Sequence, residues 1–384
     1  MIKNYIKAFL KSVYLVPIRV LASLKRKRNE NIVFLLSFPS TSEYIIDELS
    51  IKYKDRLIIC YTKEAKSLAE TYKKRKIKVF SINSFIDLYT NIIPALASTK
   101  VILCDNYFAI LAGFKFDKDV NVVQLWHANG AVKKFGAEAV YAKQAMKTDQ
   151  RRYQKVYDQY THIVVSSKKM AEIFCKSYLN EYKVLPFGYP LTDVYFQNNS
   201  NRMSFYKMFD IDTRKKIALY APTYRENKNG KQMNLKELSH RFPKDWQLVV
   251  RPHPHDNSLK QQLVELQAIV HMPEEVAITN LFNQVDCIIT DYSSIPFEYT
   301  LSRKQGKIIY YCYDLQEYDS TVGIQDDFIK WSAPDRVTTI TDLISLLTEK
   351  EQIDFKAFND CWNTFAKGNS VNQLIEWIDK HYEN

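Results

Sequence analysis

Four polar clusters in this 384-residue chain each follow directly on a short apolar, β-rich run. Trp126-His127-Ala128-Asn129-Gly130 follows Asn121–Leu125, and Pro222-Thr223-Tyr224-Arg225 follows Ile217–Tyr220. Arg251-Pro252-His253-Pro254-His255 follows Gln247–Val250, and Asp291-Tyr292-Ser293-Ser294 follows Cys287–Thr290. In open α/β sheets, ligands bind beyond the carboxyl ends of the strands. One cluster from the first half and three from the second are therefore expected to face a shared interdomain cleft.

Each cluster suggests a chemistry. His127 sits at a strand tip before the small Ala128-Asn129-Gly130 turn, where backbone can approach a substrate closely. Its imidazole suits a general base removing a hydroxyl proton near neutral pH, with Lys133 and Lys134 close behind. The bland alternative is a loop histidine satisfied by backbone. Arg251 and His253 alternate along an extended run that the two prolines stiffen. Guanidinium plus imidazolium makes a phosphate clamp. The alternatives there are a structural turn or a metal held by His253 and His255, although no carboxylate triad is spaced to complete one. Ser293 and Ser294 precede the expected helix Ile295–Leu301, so their hydroxyls and its unpaired N–H groups form an anion site. Simple helix capping would also select serine. Glu298 lies four residues after Ser294, too far for a capping box. It is instead expected to accept hydrogen bonds from a ribose or glycerol hydroxyl. Together these residues describe a transferase using a phosphorylated donor, with a histidine base in one domain and an anion cradle in the other. There is no GxGxxG and no Walker A motif, so neither a classical dinucleotide site nor a P-loop site is expected.

These clusters need strands and helices behind them. Apolar runs at Ile32–Ser37, Leu57–Tyr61, Lys78–Ser81, Val101–Cys104, Asn121–Leu125, His162–Ser166 and Val184–Phe187 form a first set. A second comprises Ile217–Tyr220, Gln247–Val250, Ala268–His271, Cys287–Thr290 and Lys307–Tyr311. Amphipathic stretches such as Ala65–Arg75 and Met170–Leu179 lie between them. Strands alternating with helices predict parallel, doubly wound α/β layers. The polar stretch Asn198–Thr213 marks a boundary, giving domains over residues 31–197 and 198–384, the second ending in a helical tail with Thr341–Leu347 and Val371–His381. Two Rossmann-like halves resemble the GT-B architecture.

Composition narrows the classes. The chain is 46% hydrophobic and 25% charged, with 8 Gly and 12 Pro, which excludes a disordered or linker-like protein. Six scattered cysteines form neither a zinc ribbon nor a disulfide framework, and read as reduced thiols of a cytosolic protein. The net charge is +11, yet residues 1–28 alone carry eight Lys and Arg with no acid. The nearly balanced remainder argues against nucleic acid as partner. Ile2, Tyr5, Ile6, Phe9, Val13, Val16 and Val20 recur at helical spacing, with Lys3, Lys7 and Lys11 on the other side. This predicts a basic amphipathic helix over residues 1–30, ending or kinking near Pro17, that docks on an anionic inner leaflet. Packing on the protein's own core is the alternative. The helix is too charged to span a bilayer and is a poor signal peptide.

The clusters resemble the CDP-glycerol glycerophosphotransferase family of teichoic acid synthesis in Gram-positive bacteria. The matching segments are Trp126-His127-Ala128, Lys133-Lys134-Phe135-Gly136, Tyr220-Ala221-Pro222-Thr223 with Arg225, Arg251-Pro252-His253, and Thr290 to Ser294. The resemblance implies CDP-glycerol as donor and no other cofactor. It also implies His127 and His253 as catalytic residues. Arg251, Ser293 and Ser294 would lie near the pyrophosphate, with Asp291, Thr223, Arg225, Glu298, Asn129, Gly130 and Lys133 contributing to substrate binding. Ala128-Asn129-Gly130 replaces the Gly-Thr-Pro typical of the polymerases, and Glu298 stands where many members have Asp. The first departure points to the primase branch. The acceptor would be a lipid-linked disaccharide, N-acetylmannosaminyl-N-acetylglucosamine on undecaprenyl diphosphate, met at the cytoplasmic face of the membrane by a peripheral protein. The alternatives are a polyol-phosphate polymerase, a GT-B enzyme using a nucleotide sugar, and a non-catalytic membrane-associated binding protein.

Overall fold

The computed structural model describes residues 2–24, 26–197, 206–225, 233–253, 256–273, 276–349 and 351–383, with side chains from Leu10 to Tyr382. It divides into two units. One comprises Met1–Asn129, Phe135–Asp193 and Thr364–Asn384, the other Gly130–Lys134 and Val194–Asn363.

The first unit is built on β1 (Ile32–Leu36), β2 (Leu57–Tyr61), β3 (Lys78–Ser81), β4 (Val101–Cys104), β5 (Asn121–Gln124), β6 (His162–Val164) and β7 (Lys183–Leu185). All pairings are parallel, in the order β3-β2-β1-β4-β5-β6-β7. Every residue of β1, β2 and β4 is buried. This is why these strands read as unbroken apolar runs rather than alternating ones. The order reverses between β1 and β4, which places a switch point between their tips.

The second unit repeats this winding with β8 (Lys216–Tyr220), β9 (Trp246–Val250), β10 (Val270–His271), β11 (Cys287–Thr290), β12 (Gln305–Tyr311) and β13 (Arg336–Val337). Its order is β10-β9-β8-β11-β12-β13, with the short β14 (Ile353–Asp354) antiparallel to β12. The switch point here lies between β8 and β11. All twelve strands expected from the sequence form, within a few residues at their ends. The two-residue β13 and β14 were too short to stand out.

Three expectations change. The helical tail was assigned to the second domain, but the last helix, Ser370–Glu383, packs in the first unit. Its Val371, Leu374 and Ile378 join the core around β1 and β2, and its first N–H groups, of Ser370 and Val371, donate to the Asp193 carboxylate at 2.9 and 3.0 Å. An anion at a helix N-terminus is favoured by the unpaired donors there. Second, the chain leaves the first unit at Asp193, before the expected boundary. Asn198–Asn201 lie outside the described residues. Third, Gly130–Lys134 belongs to the second unit although it follows a first-unit strand. There Val132 accepts from Gln325 N at 2.8 Å and Lys134 N donates to Gly323 O at 2.9 Å. Gly130 is obligatory at this place, because a Cβ would stand 2.6 Å from the Phe297 ring.

The N-terminal helix, Ile2–Ala22, continues through Pro17 rather than ending there. It has two apolar sides. Leu15 and Ile18 are buried, and Ile18 lies so close to Gly113 that a Cβ there would meet its Cγ2 at 2.5 Å. Lys11 Nζ pairs with Asp149 at 3.1 Å and Arg152 donates to Ser12 Oγ at 2.7 Å. Val13, Val16 and Val20, the predicted membrane side, are about half exposed at 47%, 53% and 59%. The packing reading therefore holds for the Leu15 and Ile18 side, while the side expected to meet a membrane is exposed.

Candidate functional site

His127 is held on three sides. Trp126 adopts a left-handed φ of 66°, and its N–H donates to the Gln124 side chain at 2.9 Å. A bulky residue at positive φ is strained, and here the strain turns the chain sharply at the tip of β5. The His127 ring is stacked between Phe38, with centroids 3.7 Å apart, and Trp126, at 4.2 Å. Its Nδ1 lies 2.9 Å from the Asp105 carbonyl oxygen. A carbonyl can only accept, so Nδ1 carries the hydrogen and the neutral ring keeps its lone pair on Nε2. This is the tautomer a general base requires.

Asp105, which the sequence reading did not single out, organises this arrangement. It follows β4 directly and is fully buried. Its carboxylate accepts from Ser37 N at 2.9 Å, Phe38 N at 2.8 Å and Ser42 Oγ at 2.9 Å. The carboxylate thus fixes the backbone of the residue that stacks on His127, while the carbonyl fixes the ring itself. Burial pushes its pKa up to about 6 in spite of these donors. The available signal was the switch-point rule, which selects the tips of β1 and β4 as strongly as the tip of β5. Asn129 is also buried and accepts from Ser166 Oγ, so its side chain supports the turn.

In the second unit Asp291 occupies the corresponding place. It follows the fourth strand of its sheet, as Asp105 does, and accepts a backbone N–H from the turn after the first strand, that of Thr223, at 2.9 Å. Asp291 Oδ2 lies 2.8 Å from Arg225, and Asp314 completes the cluster at 2.6 Å from Arg225 Nε. Tyr292, Tyr313 and Tyr318 surround the guanidinium at 5.2, 5.4 and 4.9 Å. Burial opposes the charge on Arg225, but Asp291 and Asp314 outweigh it and hold the pKa above the ordinary arginine value. Arg225 and Asp291 thus have protein partners that brace the tips of β8 and β11. Asp314 was missed because it lies in sequence far from any cluster.

The remaining candidates lie around this brace. Lys133 pairs in a β-bridge with Ile324. Burial lowers its pKa, which Asp291 partly offsets and Arg225 reinforces. The Thr223 hydroxyl is buried without a hydrogen-bond partner among the described residues. It lines a recess of about 310 Å³, open mouth included, with Arg225, Asp256, Ser258, Gln262 and Tyr313. Ser294 occupies the N-cap of Ile295–Ser302 without a side-chain capping bond, while Ser293 Oγ accepts from Ile295 N at 3.3 Å. Glu298 is buried and accepts from Tyr195 Oη at 2.6 Å, and burial pushes its pKa up to about 7 against that hydrogen bond. Arg251 N donates to Tyr220 O at 2.9 Å, and the His253 ring is stacked near Tyr224 at 5.3 Å. His255 lies outside the described residues. Among the described residues no group of three His, Cys, Asp or Glu is placed to hold a metal ion.

A profile of the CDP-glycerol:poly(glycerophosphate) glycerophosphotransferases matches residues 18–380. The chain belongs to this family. It is a CDP-glycerol glycerophosphotransferase of teichoic acid synthesis. It is similar to the teichoic acid glycerol-phosphate primase of Bacillus subtilis (strain 168), at 32% identity over 97% of this chain and 98% of the primase. The teichoic acid ribitol-phosphate primase of Bacillus spizizenii is 24% identical over 98% and 97%. The wall teichoic acid polymerase TagF shares the fold, with a TM-score of 0.71, 18% identity and 98% of each chain covered. A glycerophosphotransferase needs a hydroxyl activator and an anion cradle, and the tips of β5 and β11 carry candidates for both.

Proposed function

We propose that this chain is the priming glycerophosphotransferase: it transfers one glycerol phosphate from CDP-glycerol to N-acetylmannosaminyl-N-acetylglucosamine on undecaprenyl diphosphate and releases CMP. The observation that carries the chemistry is the hydrogen bond from His127 Nδ1 to the Asp105 carbonyl, which leaves Nε2 as the basic atom. Priming rather than polymerisation is supported by the identity, which is 32% to a glycerol-phosphate primase and 22% to a poly(glycerol phosphate) polymerase matched over a similar length. His127 Nε2 takes the proton of the acceptor hydroxyl. The oxygen attacks the phosphorus that bears glycerol, and the bond from that phosphorus to the bridging oxygen breaks. CMP leaves with the electron pair. Arg251, His253 and the serines at 293 and 294 offset the charge on the transferring phosphoryl group and on CMP. Such reactions depend mainly on positioning and electrostatics. The Thr223 hydroxyl serves the polar groups of the donor, whereas Glu298, expected to do the same, is buried against Tyr195.

The acceptor lipid stays in the bilayer, so the enzyme must come to it. Among the described residues no helix is long and apolar enough to cross a membrane. We assign the exposed Val13, Val16 and Val20 side of the N-terminal helix to the acyl boundary of the inner leaflet, with Arg26 and Lys27, both exposed, toward anionic headgroups. Arg28 is not part of this, since it pairs with Asp117 at 2.7 Å and Asp119 at 3.1 Å.

The test combines purified enzyme, CDP-glycerol and a short-lipid disaccharide diphosphate, following CMP and product mass together. One added glycerol phosphate is the expected product. A ladder of additions would make the enzyme a polymerase. No CMP from folded protein, with release from CDP-ribitol instead, would change the donor.

A further inference from the structure

Tyr107 lies two residues beyond Asp105, so its Cα is within about 7 Å of the residue that anchors His127. Its ring meets Tyr153 edge-on with centroids 5.8 Å apart, and Tyr153 meets Tyr141 edge-on at 6.3 Å. The cluster is backed by the buried Tyr157, 6.0 Å from Tyr107 and itself stacked on Tyr178 at 4.3 Å. Tyr141 is 63% exposed. Among the described residues none of the hydroxyls of Tyr107, Tyr141 and Tyr153 has a hydrogen-bond partner. They reach solvent rather than lying buried and unpaired. Three such hydroxyls on one aromatic surface beside a catalytic base are suited to a ligand with apolar faces and many hydroxyls, which is the character of a sugar ring.

The same surface leads to the membrane side. Burial raises the Tyr107 hydroxyl's pKa, and among the charges that act on it are Arg152, which lowers it, and Asp149, which raises it. Arg152 and Asp149 pair with each other, and both reach the N-terminal helix, Arg152 through Ser12 and Asp149 through Lys11. Lys11 is 56% exposed. Contacts therefore run from the helix assigned to the bilayer to a cationic pair with one carboxylate between them, whose charges act on the Tyr107 hydroxyl.

We propose that Tyr107, Tyr141 and Tyr153 are the platform on which the sugars of the membrane-held glycosyl diphosphate stack, with Arg152 and Lys11 toward its phosphates. This rests on the priming reaction proposed above. Tyr141→Ala and Tyr153→Phe, at an exposed and a half-buried position, test it against wild type. Direct binding of the soluble short-lipid disaccharide diphosphate is measured by saturation-transfer NMR, alongside steady-state kinetics and vesicle sedimentation. Wild type should show saturation transfer to the sugar protons. Tyr141→Ala should raise KM for the acceptor about tenfold, on the scale of a lost aromatic contact, and Tyr153→Phe several-fold, with KM for CDP-glycerol unchanged. Acceptor bound by wild type and lost in Tyr141→Ala, but without turnover, would keep the platform and reject the reaction. Turnover with unchanged acceptor KM in both variants would reject the platform and keep the reaction. Loss of vesicle binding with acceptor KM unchanged would make the tyrosines a bilayer contact instead, and absence of acceptor binding by wild type would also overturn the platform.

Discussion

The Asp105 carbonyl oxygen and His127 Nδ1 are 2.9 Å apart, and the carboxylate of the same aspartate holds the backbone of Phe38, whose ring lies 3.7 Å from the imidazole. One residue thus sets both the tautomer and the plane of the base. Asp105→Asn keeps the carbonyl but replaces an acceptor of three donors with an amide that has a single acceptor oxygen. Leaving a buried donor unpaired costs about 1–3 kcal/mol. The variant should lose about that much stability in urea unfolding and lose kcat, with KM for CDP-glycerol little changed. Equal stability and equal kcat would mean that the Ser37–Phe38 turn positions itself.

His127→Ala should reduce turnover by about 10²-fold or more, the usual scale for a general base. The stacked rings of Phe38 and Trp126 would remain as packing partners, so the protein should stay folded. A folded variant with near-normal CMP release would remove His127 from the reaction.

Arg225 is the strongest stabilising candidate in the second unit. Arg225→Met would leave the Asp291 and Asp314 carboxylates buried without their cation. Breaking a buried pair in this way costs about 3–5 kcal/mol, so the variant should melt far below wild type, and CDP-glycerol should stabilise whatever remains folded. If it melts like wild type yet shows a large rise in KM for CDP-glycerol, the guanidinium contacts the donor instead of bracing the strand tips.

Much of this was legible in the sequence because parallel strands buried on both faces leave continuous apolar runs, and turn residues punctuate them. The clusters at the tips of β5, β8, β9 and β11 followed from that. What was not legible depends on contacts distant in sequence. Asp105 becomes important only when β1, β4 and β5 are neighbours, and Asp314 only when its loop reaches Arg225. The last helix has the same amphipathic pattern whichever sheet it covers, and Asp193 decides the matter by meeting its N-terminus. Gly130 read as room for backbone to approach a substrate, whereas the structure requires it for the approach of the Phe297 ring.

The N-terminal helix can be dissected by side. Replacing Val13, Val16 and Val20 with serine should lower binding to anionic vesicles more than tenfold, given about 1.5–3 kcal/mol for each fully buried valine, without changing the melting temperature. Leu15→Ala acts on the other side and should cost about 2–5 kcal/mol of stability, as core leucines do. Deleting residues 1–28 would combine both effects, since it also removes the Arg28 pairs with Asp117 and Asp119. Unchanged vesicle binding in the triple variant would leave the helix as a structural element alone.

Glu298 gives the protein a pH-dependent stability with a definite sign. Its pKa rises from 4.5 to about 7 on folding, first because burial disfavours the carboxylate, with the Tyr195 hydrogen bond acting the other way. The folded state therefore prefers the protonated acid. Its stabilising contribution is complete below pH 4.5, falls as pH rises toward 7, and is constant above that. The full change is on the order of 3 kcal/mol at about 1.4 kcal/mol per pKa unit. Glu298→Gln keeps an acceptor for the Tyr195 hydroxyl and does not titrate. Its melting temperature relative to wild type should increase steadily between pH 4.5 and 7 and then level off. Other titrating groups are common to both proteins and cancel in the difference. Parallel curves across this range would mean that the carboxyl is ionised in the folded protein at the bottom of the window, and that water or a partner reaches it where the structure shows only Tyr195.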